Sequence, residues 1–229
     1  MKKSEYKRIE LYMLSMMEDS AHDKEHIYRV LYNALEIAGT EKDVDLDVLT
    51  AACLLHDIGR RKQNKKPKVS HAATGSKLAY EFLTKEKWSE KRAKQVKKAI
   101  AVHSFRDSTS PDSIEAKILF DADKLDAAGA LGIARSLIYS GQVSEKLYSV
   151  DGAGMVIKGE DDPENTFFNE YKLKLEKIYG CFYTECGREL ALLRQKTARD
   201  FFDALCGEVS RTHNVGIKML ETSVFTRHS

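Results

Sequence analysis

Residues 46–59 read LDVLTAACLLHDIG, and this stretch decides how the chain folds. Leu46, Leu49, Ala52 and Cys53 keep a helical spacing and run into Leu54-Leu55, then a histidine and an aspartate, with Gly59 as the stop. So apolar a run belongs in a core. A carboxylate placed directly after it is costly to bury unless a cation or hydrogen-bond donors satisfy it. The segment therefore predicts an apolar helix that carries an ionisable pair, His56-Asp57, toward the core at its end.

The same period recurs on both sides. Ile9, Tyr12, Met13, Met16 and Met17 follow i, i+3, i+4, i+7, i+8 spacing, and Ile27, Val30, Leu31, Ala34, Leu35 and Ala38 repeat it. Ser70 can cap a helix through Leu78, Ala79, Phe82 and Leu83. Residues 88–102 read as another helix, and 112–127 as one that leads into a further helix through Ile133, Ala134, Leu137 and Ile138. Leu190, Leu193, Ala198, Phe201, Phe202 and Leu205 mark a long amphipathic helix, with the stripe from Leu190 to Phe201 expected in the core. The β-like run MVIKG at 155–159 lies inside a long glycine-containing loop, 147–166, of a length often found in lids. Residues 210–229 are expected to form a short helix or a frayed end. The expectation is an all-α fold: one domain over 1–229, a compact helical bundle with C-terminal helices over 167–208.

Composition narrows the function. The chain has 229 residues, 42% hydrophobic and 31% charged, enough for a packed core. Its 37 basic and 35 acidic residues nearly cancel, which argues against a dedicated nucleic-acid binder but leaves room for a small anion on a local basic patch. No secretory signal follows the basic start MKKSEYKRIE, and no stretch approaches ~18 uninterrupted apolar residues, so no membrane span is expected. The four cysteines form no CxxC, so reduced thiols in a cytoplasmic protein are expected.

Two further residues join His56-Asp57. His26 sits at the edge of the apolar face in AHDKEHIYRV, and Asp123 follows ILF inside FDADKLD. Three apolar helices that each bring an ionisable side chain coreward ask for a shared cation. Two imidazoles and two carboxylates suit Mn²⁺, Fe²⁺, Co²⁺, Ni²⁺ or Zn²⁺, whereas a Mg²⁺ site usually has fewer histidines. An ion so held lowers the pKa of water to about 7 and polarises a phosphoryl oxygen, so hydrolysis needs no side-chain nucleophile. The chain has no obvious serine or cysteine nucleophile motif.

HxxRV as His26-Ile27-Tyr28-Arg29-Val30, LLHDIG at 54–59 and DADKLDA at 121–127 resemble, in order and spacing across 22–135, the HD-domain metal-dependent phosphohydrolases. Residues 167–205 resemble the closing segment of a soluble bacterial subgroup of that superfamily. The lone dipeptide His22-Asp23 carries no such weight. The resemblance implies metal ligands at His26, His56, Asp57 and Asp123, with His56 and Asp57 at the catalytic centre. Asp121 competes for the last ligand; Asp123 is preferred because the family pattern places its aspartate three residues before a second, here Asp126. Asp23, Asp121 and Asp126 are candidates for orienting ligands, or simply for caps and lysine pairs.

His71 and His103 lie between the HD pair and the last aspartate. Some HD enzymes are similar in having two histidines there that bind a second metal; in a single-metal enzyme they would touch phosphate or cap helices. Arg60, Arg61, Lys62, Lys65, Lys66 and Lys68 follow the HD pair, mostly as a solvated loop, with one or two meeting phosphate charge. Arg60, Arg106 and Lys124 are the individual candidates for phosphate contact. HD hydrolases of alarmone type carry acidic residues just after HD; Gly59-Arg60-Arg61 departs from that pattern, which leaves the general acid unassigned.

The reading is a phosphohydrolase acting on a nucleotide or another phosphorylated metabolite, with nucleoside triphosphates cut to monophosphate and pyrophosphate as the first choice. Phosphomonoester and cyclic-nucleotide hydrolysis would use the same site. From another class, a non-catalytic nucleotide and metal sensor is the alternative. An RNA-binding role for the 60–68 run lacks any aromatic platform. Whether the chain forms a homo-oligomer is left open.

Overall fold

The computed structural model describes residues 1–17, 24–60, 70–104 and 110–225. The architecture is all-α, with no strand among the described residues and two isolated β-bridges, Lys146 to Thr166 and Val150 to Val156. No described helix is long and apolar enough to cross a membrane. The chain divides into two compact units: Met1–Asp126 with Phe182–Glu189, and Ala127–Cys181 with Leu190–Ser229.

In the first unit, α1 (Lys3–Met16), α2 (Lys24–Ala38), α3 (Leu46–Leu55), α4 (His71–Lys85), α5 (Glu90–Ala101) and α6 (Ile114–Leu125) form the bundle. The α3 helix is polar only at Asp47 and Thr50, near its start, and Val48, Leu49 and all of 51–55 are buried. A helix whose last five residues are all apolar must be surrounded there, and α1, α2, α4, α5 and α6 all pack against it. Its start is fixed by Asp45, whose Oδ1 accepts from the Asp47 and Val48 N–H groups. Ser70 caps α4 as expected, accepting from Ala73 at 3.2 Å.

Gly59 plays a different part from the helix stop expected of it. The helix ends at Leu55, with His56 still in right-handed conformation. A Cβ on Gly59 would lie 2.1 Å from the His71 carbonyl oxygen and 2.6 Å from the Gly75 nitrogen. The glycine is there for close approach, and it lets the start of α4, and so His71, come against the HD turn.

The second unit holds α7 (Gly129–Gln142), α8 (Phe167–Glu170), a π-helical turn Tyr171–Leu175, and most of α9 (Glu185–Met219), whose first residues belong to the first unit. Its core is aromatic: Phe167, Phe168, Tyr171 and Phe202 pack with Ile133, Leu175, Ala198 and Cys206. Tyr171 stacks on Phe202 with centroids 3.9 Å apart. Two expectations are corrected here. The buried stripe of α9 is Ala191, Ala198, Phe202 and Cys206, while Leu193 is 76% exposed and Phe201 42% exposed, because they fall off that face. The chain beyond 210 does not stop at a short helix; α9 continues to Met219 and a π-helical turn runs on to Val224.

The 147–166 loop is tied down within this unit. Phe167 and Phe168 N–H groups donate to the Lys146 and Leu147 carbonyls, and Ile157 N–H donates to Ser149. Asp162 accepts from the Ser149 and Thr166 hydroxyls at 2.7 and 2.9 Å. His213 on α9 lies against both Tyr148 Oη and the Gly154 carbonyl, each at 3.1 Å.

Candidate metal centre

Four side chains from three helix regions converge in the first unit. His26 comes from the first turn of α2, His56 and Asp57 from the end of α3, and Asp123 from the last turn of α6. His26 Nε2 lies 3.3 Å from His56 Nε2, 3.7 Å from Asp57 Oδ2 and 3.5 Å from Asp123 Oδ1. His56 Nε2 lies 3.7 Å from Asp57 Oδ2 and 4.0 Å from Asp123 Oδ1. Both imidazoles are buried. Ligands about 2.1 Å from one ion stand roughly 3–3.5 Å from each other, so these spacings are close to those of a coordination shell.

The protons explain why. His56 Nδ1 lies 2.8 Å from the Cys53 carbonyl, an acceptor, so Nδ1 carries the hydrogen and Nε2 presents a lone pair. His26 Nδ1 lies 2.7 Å from Asp126 Oδ2, with the same consequence. Burial, despite the neighbouring Asp57, pushes the His56 imidazole down to about 4, so it is neutral at pH 7. Burial pushes the Asp57 carboxyl up, but His56 and Arg60 outweigh it and hold the group well below the usual carboxylate range. Asp123 is likewise held low against its burial, by Lys124 and His26. Two lone pairs and two anionic oxygens thus face one another. Such a set repels itself unless a cation sits among it, and its mixed imidazole and carboxylate donors fit a divalent transition ion.

The other oxygen of Asp57 faces a second corner. His71 Nε2 and His103 Nε2 each lie 3.6 Å from Asp57 Oδ1, too far for hydrogen bonds. Among the described residues, Asp57 Oδ1, His103 Nε2 and both nitrogens of His71 are buried with no hydrogen-bond partner. His103 Nδ1 is engaged with the Ile100 carbonyl at 2.6 Å, so its Nε2 also offers a lone pair. Burial and then Arg60 push the His71 imidazole down to about 3. Two cations flank the carboxylates: Arg60 Nε donates to Asp57 Oδ2 at 2.8 Å, and Lys124 Nζ donates to Asp123 Oδ2 at 2.7 Å.

Of the residues singled out from sequence, the structure brings together His26, His56, Asp57, Asp123, His71, His103, Arg60 and Lys124. It takes Asp121 elsewhere. That carboxylate accepts from the Tyr183 and Thr184 N–H groups and, at 2.6 Å, from the Thr184 hydroxyl, fixing the 182–189 segment on α6. Burial raises its pKa, with those hydrogen bonds pulling the other way. Arg106, Asp23, His22, Arg61, Lys62, Lys65, Lys66 and Lys68 lie outside the described residues. Sequence reasoning missed Arg29, which grips Asp126; its place in HxxRV, one turn after His26, was the available signal.

The family match falls on this region, and the similar proteins extend over most of the chain. A family model described as the HD domain matches residues 24–128. The uncharacterized protein YpgQ of Bacillus subtilis is 32% identical over 178 residues, which cover 76% of this chain and 78% of that protein. The crystal structure of Bacillus subtilis YpgQ in complex with ADP superposes with a TM-score of 0.68 at 27% identity, covering 89% of this chain and 97% of that one. An HD-superfamily hydrolase from Bacillus thuringiensis gives a TM-score of 0.70 at 26% identity, over 91% and 98% of the two chains.

Proposed function

The chain belongs to the HD-domain family, and on that premise we propose that it is a metal-dependent phosphohydrolase that cleaves nucleoside triphosphates to monophosphate and pyrophosphate. The observation that carries this reading is the convergence of His26 Nε2, His56 Nε2, Asp57 Oδ2 and Asp123 Oδ1, two imidazole nitrogens and two carboxylate oxygens within 3.3–4.0 Å of one another across five of their pairs. These four residues would hold the ion. A divalent ion there supplies Lewis acidity toward a phosphoryl oxygen and toward water.

The remaining work falls to the chain itself. Arg60 and Lys124 stand beside the carboxylates as cations placed to meet incoming phosphate charge, and Arg60 can offer its further N–H groups. Neither nitrogen of His71 is committed among the described residues, so the ring can present an N–H to a phosphoryl oxygen. Water adds to the α-phosphorus and loses a proton to solvent, the bond to the oxygen bridging to the β-phosphorus breaks, and pyrophosphate leaves with that oxygen's electron pair. The ADP in the Bacillus subtilis YpgQ structure supports a nucleotide as the ligand class.

A second reading concerns the number of ions. His103 Nε2 and Asp57 Oδ1 are both acceptors, and they face each other across 3.6 Å. That favours a second cation shared through Asp57 and held by His103 and His71. Metal analysis of active protein decides it: one ion per chain would remove the second.

The test is product identity across a nucleotide panel with Mn²⁺ added, for the native protein and for Asp57→Ala. Monophosphate plus pyrophosphate, lost in the variant, is the expected result. Full activity in a folded Asp57→Ala protein would sink the proposal. Turnover confined to monoesters or cyclic nucleotides would overturn the substrate choice, and binding without turnover would favour a sensor.

A further inference from the structure

The imidazoles whose Nε2 atoms turn toward Asp57 and Asp123 are not held alike. His56 and His103 give their Nδ1 hydrogens to neutral acceptors, the carbonyls of Cys53 and Ile100. His26 gives its hydrogen to a carboxylate, Asp126 Oδ2, at 2.7 Å. Asp126 is the C-cap of α6 and has no exposed surface. Arg29 fixes it in turn: Nε donates to Oδ1 at 2.6 Å and Nη2 to Oδ2 at 3.1 Å. Arg29 lies one turn after His26 on the same helix, so imidazole, carboxylate and guanidinium close a ring between α2 and α6.

We propose that Asp126, locked by Arg29, is a positioning residue of the metal centre, and that it makes His26 the strongest neutral donor there; the inference rests on the metal-binding reading above. An ionised carboxylate only accepts, so it forces the hydrogen onto Nδ1 and leaves the lone pair on Nε2, aimed at His56 and Asp123. Its charge strengthens Nε2 toward a cation more than a carbonyl would. The two-point grip of Arg29 sets the plane of the carboxylate, and with it the angle of the ring. Asp126 is not itself a ligand, since both its oxygens are engaged with His26 and Arg29.

The experiment is Mn²⁺ titration, with free ion read by electron paramagnetic resonance, on the native protein, Asp126→Ala, Asp126→Asn and Arg29→Gln. Far-UV circular dichroism checks each fold. The expected Kd is roughly 10–100-fold weaker for Asp126→Ala. Asp126→Asn, close to isosteric, falls between, because its amide oxygen still accepts from Nδ1 but without the charge. Arg29→Gln loses least, because the carboxylate stays. A folded Asp126→Asn or Asp126→Ala protein that melts lower yet binds Mn²⁺ within about twofold of native would overturn the proposal and leave Asp126 a structural partner of Arg29. Losses as large in Arg29→Gln as in Asp126→Ala would overturn it too. A native protein that binds no Mn²⁺ would instead fail the underlying metal reading, so the two failures are distinct.

Discussion

The two units of this chain bury opposite kinds of chemistry. The second is packed around Phe167, Phe168, Tyr171 and Phe202, and its buried surface is aromatic. The first buries four histidines and three aspartates, His26, His56, His71, His103, Asp57, Asp121 and Asp126, within an aliphatic bundle. Aromatic burial stabilises a fold outright. Burying lone pairs and anions costs stability, and the cost is offset only by what they bind. The comparison teaches that side chains equally hidden from water contribute differently: Phe202 packs in an apolar core, whereas Asp57 carries a charge that we propose serves the metal centre.

The strongest way to break that comparison is at Asp57. Asp57→Ala should lower turnover by roughly 10³-fold or more, about 4 kcal/mol of barrier, with little change in far-UV circular dichroism. A collapse of helicity would place Asp57 among the structural residues. Phe202→Ala should do the reverse. Its loss removes the stack on Tyr171 and leaves a cavity, for about 3–5 kcal/mol by urea denaturation. A loss under about 1 kcal/mol would show that the aromatic core is not what holds the second unit.

Acid sharpens the contrast. In chelator, His56 titrates near 4 when folded against an ordinary 6.5. Between those values the unfolded chain binds a proton that the folded chain refuses, so stability falls as pH drops from about 6.5 toward 4. His71, pushed down to about 3, acts in the same direction. Asp57, held low, keeps its contribution above the usual carboxylate range and loses it only as pH falls further. Melting temperature followed from pH 7 to 4 checks this; a flat profile would mean that the imidazoles are not buried neutral. The smallest effect is predicted at Leu193. Exposed on α9, Leu193→Ser should change stability by less than about 0.5 kcal/mol, and a larger loss would restore it to a packed face.

The parts legible in the sequence were those where one helix's own pattern carries the information. Leu46–Leu55 announces a helix that runs into the core because its last five residues are apolar, and His26, His56, Asp57 and Asp123 stand out as ionisable groups on apolar helices. What the sequence hid depends on distant partners. Asp121 and Asp123 sit two residues apart on α6, and only the fold shows Asp121 taken up by Tyr183 and Thr184, sixty residues away in the chain. Gly59 looked like a helix stop because its real constraint, the His71 carbonyl, lies across the bundle. Leu193 and Phe201 read as core because each is an apolar neighbour of the buried stripe Ala191, Ala198, Phe202 and Cys206, and only the fold shows which side of α9 is covered.

The central claim is that His26, His56, Asp57 and Asp123 hold a divalent ion, and Mn²⁺ titration of the native chain beside His26→Ala and Asp123→Ala tests it most directly. The account predicts stoichiometric binding in the native protein and a large loss of affinity in each folded variant. Native protein that binds no ion, or variants that bind as tightly as native, would contradict it.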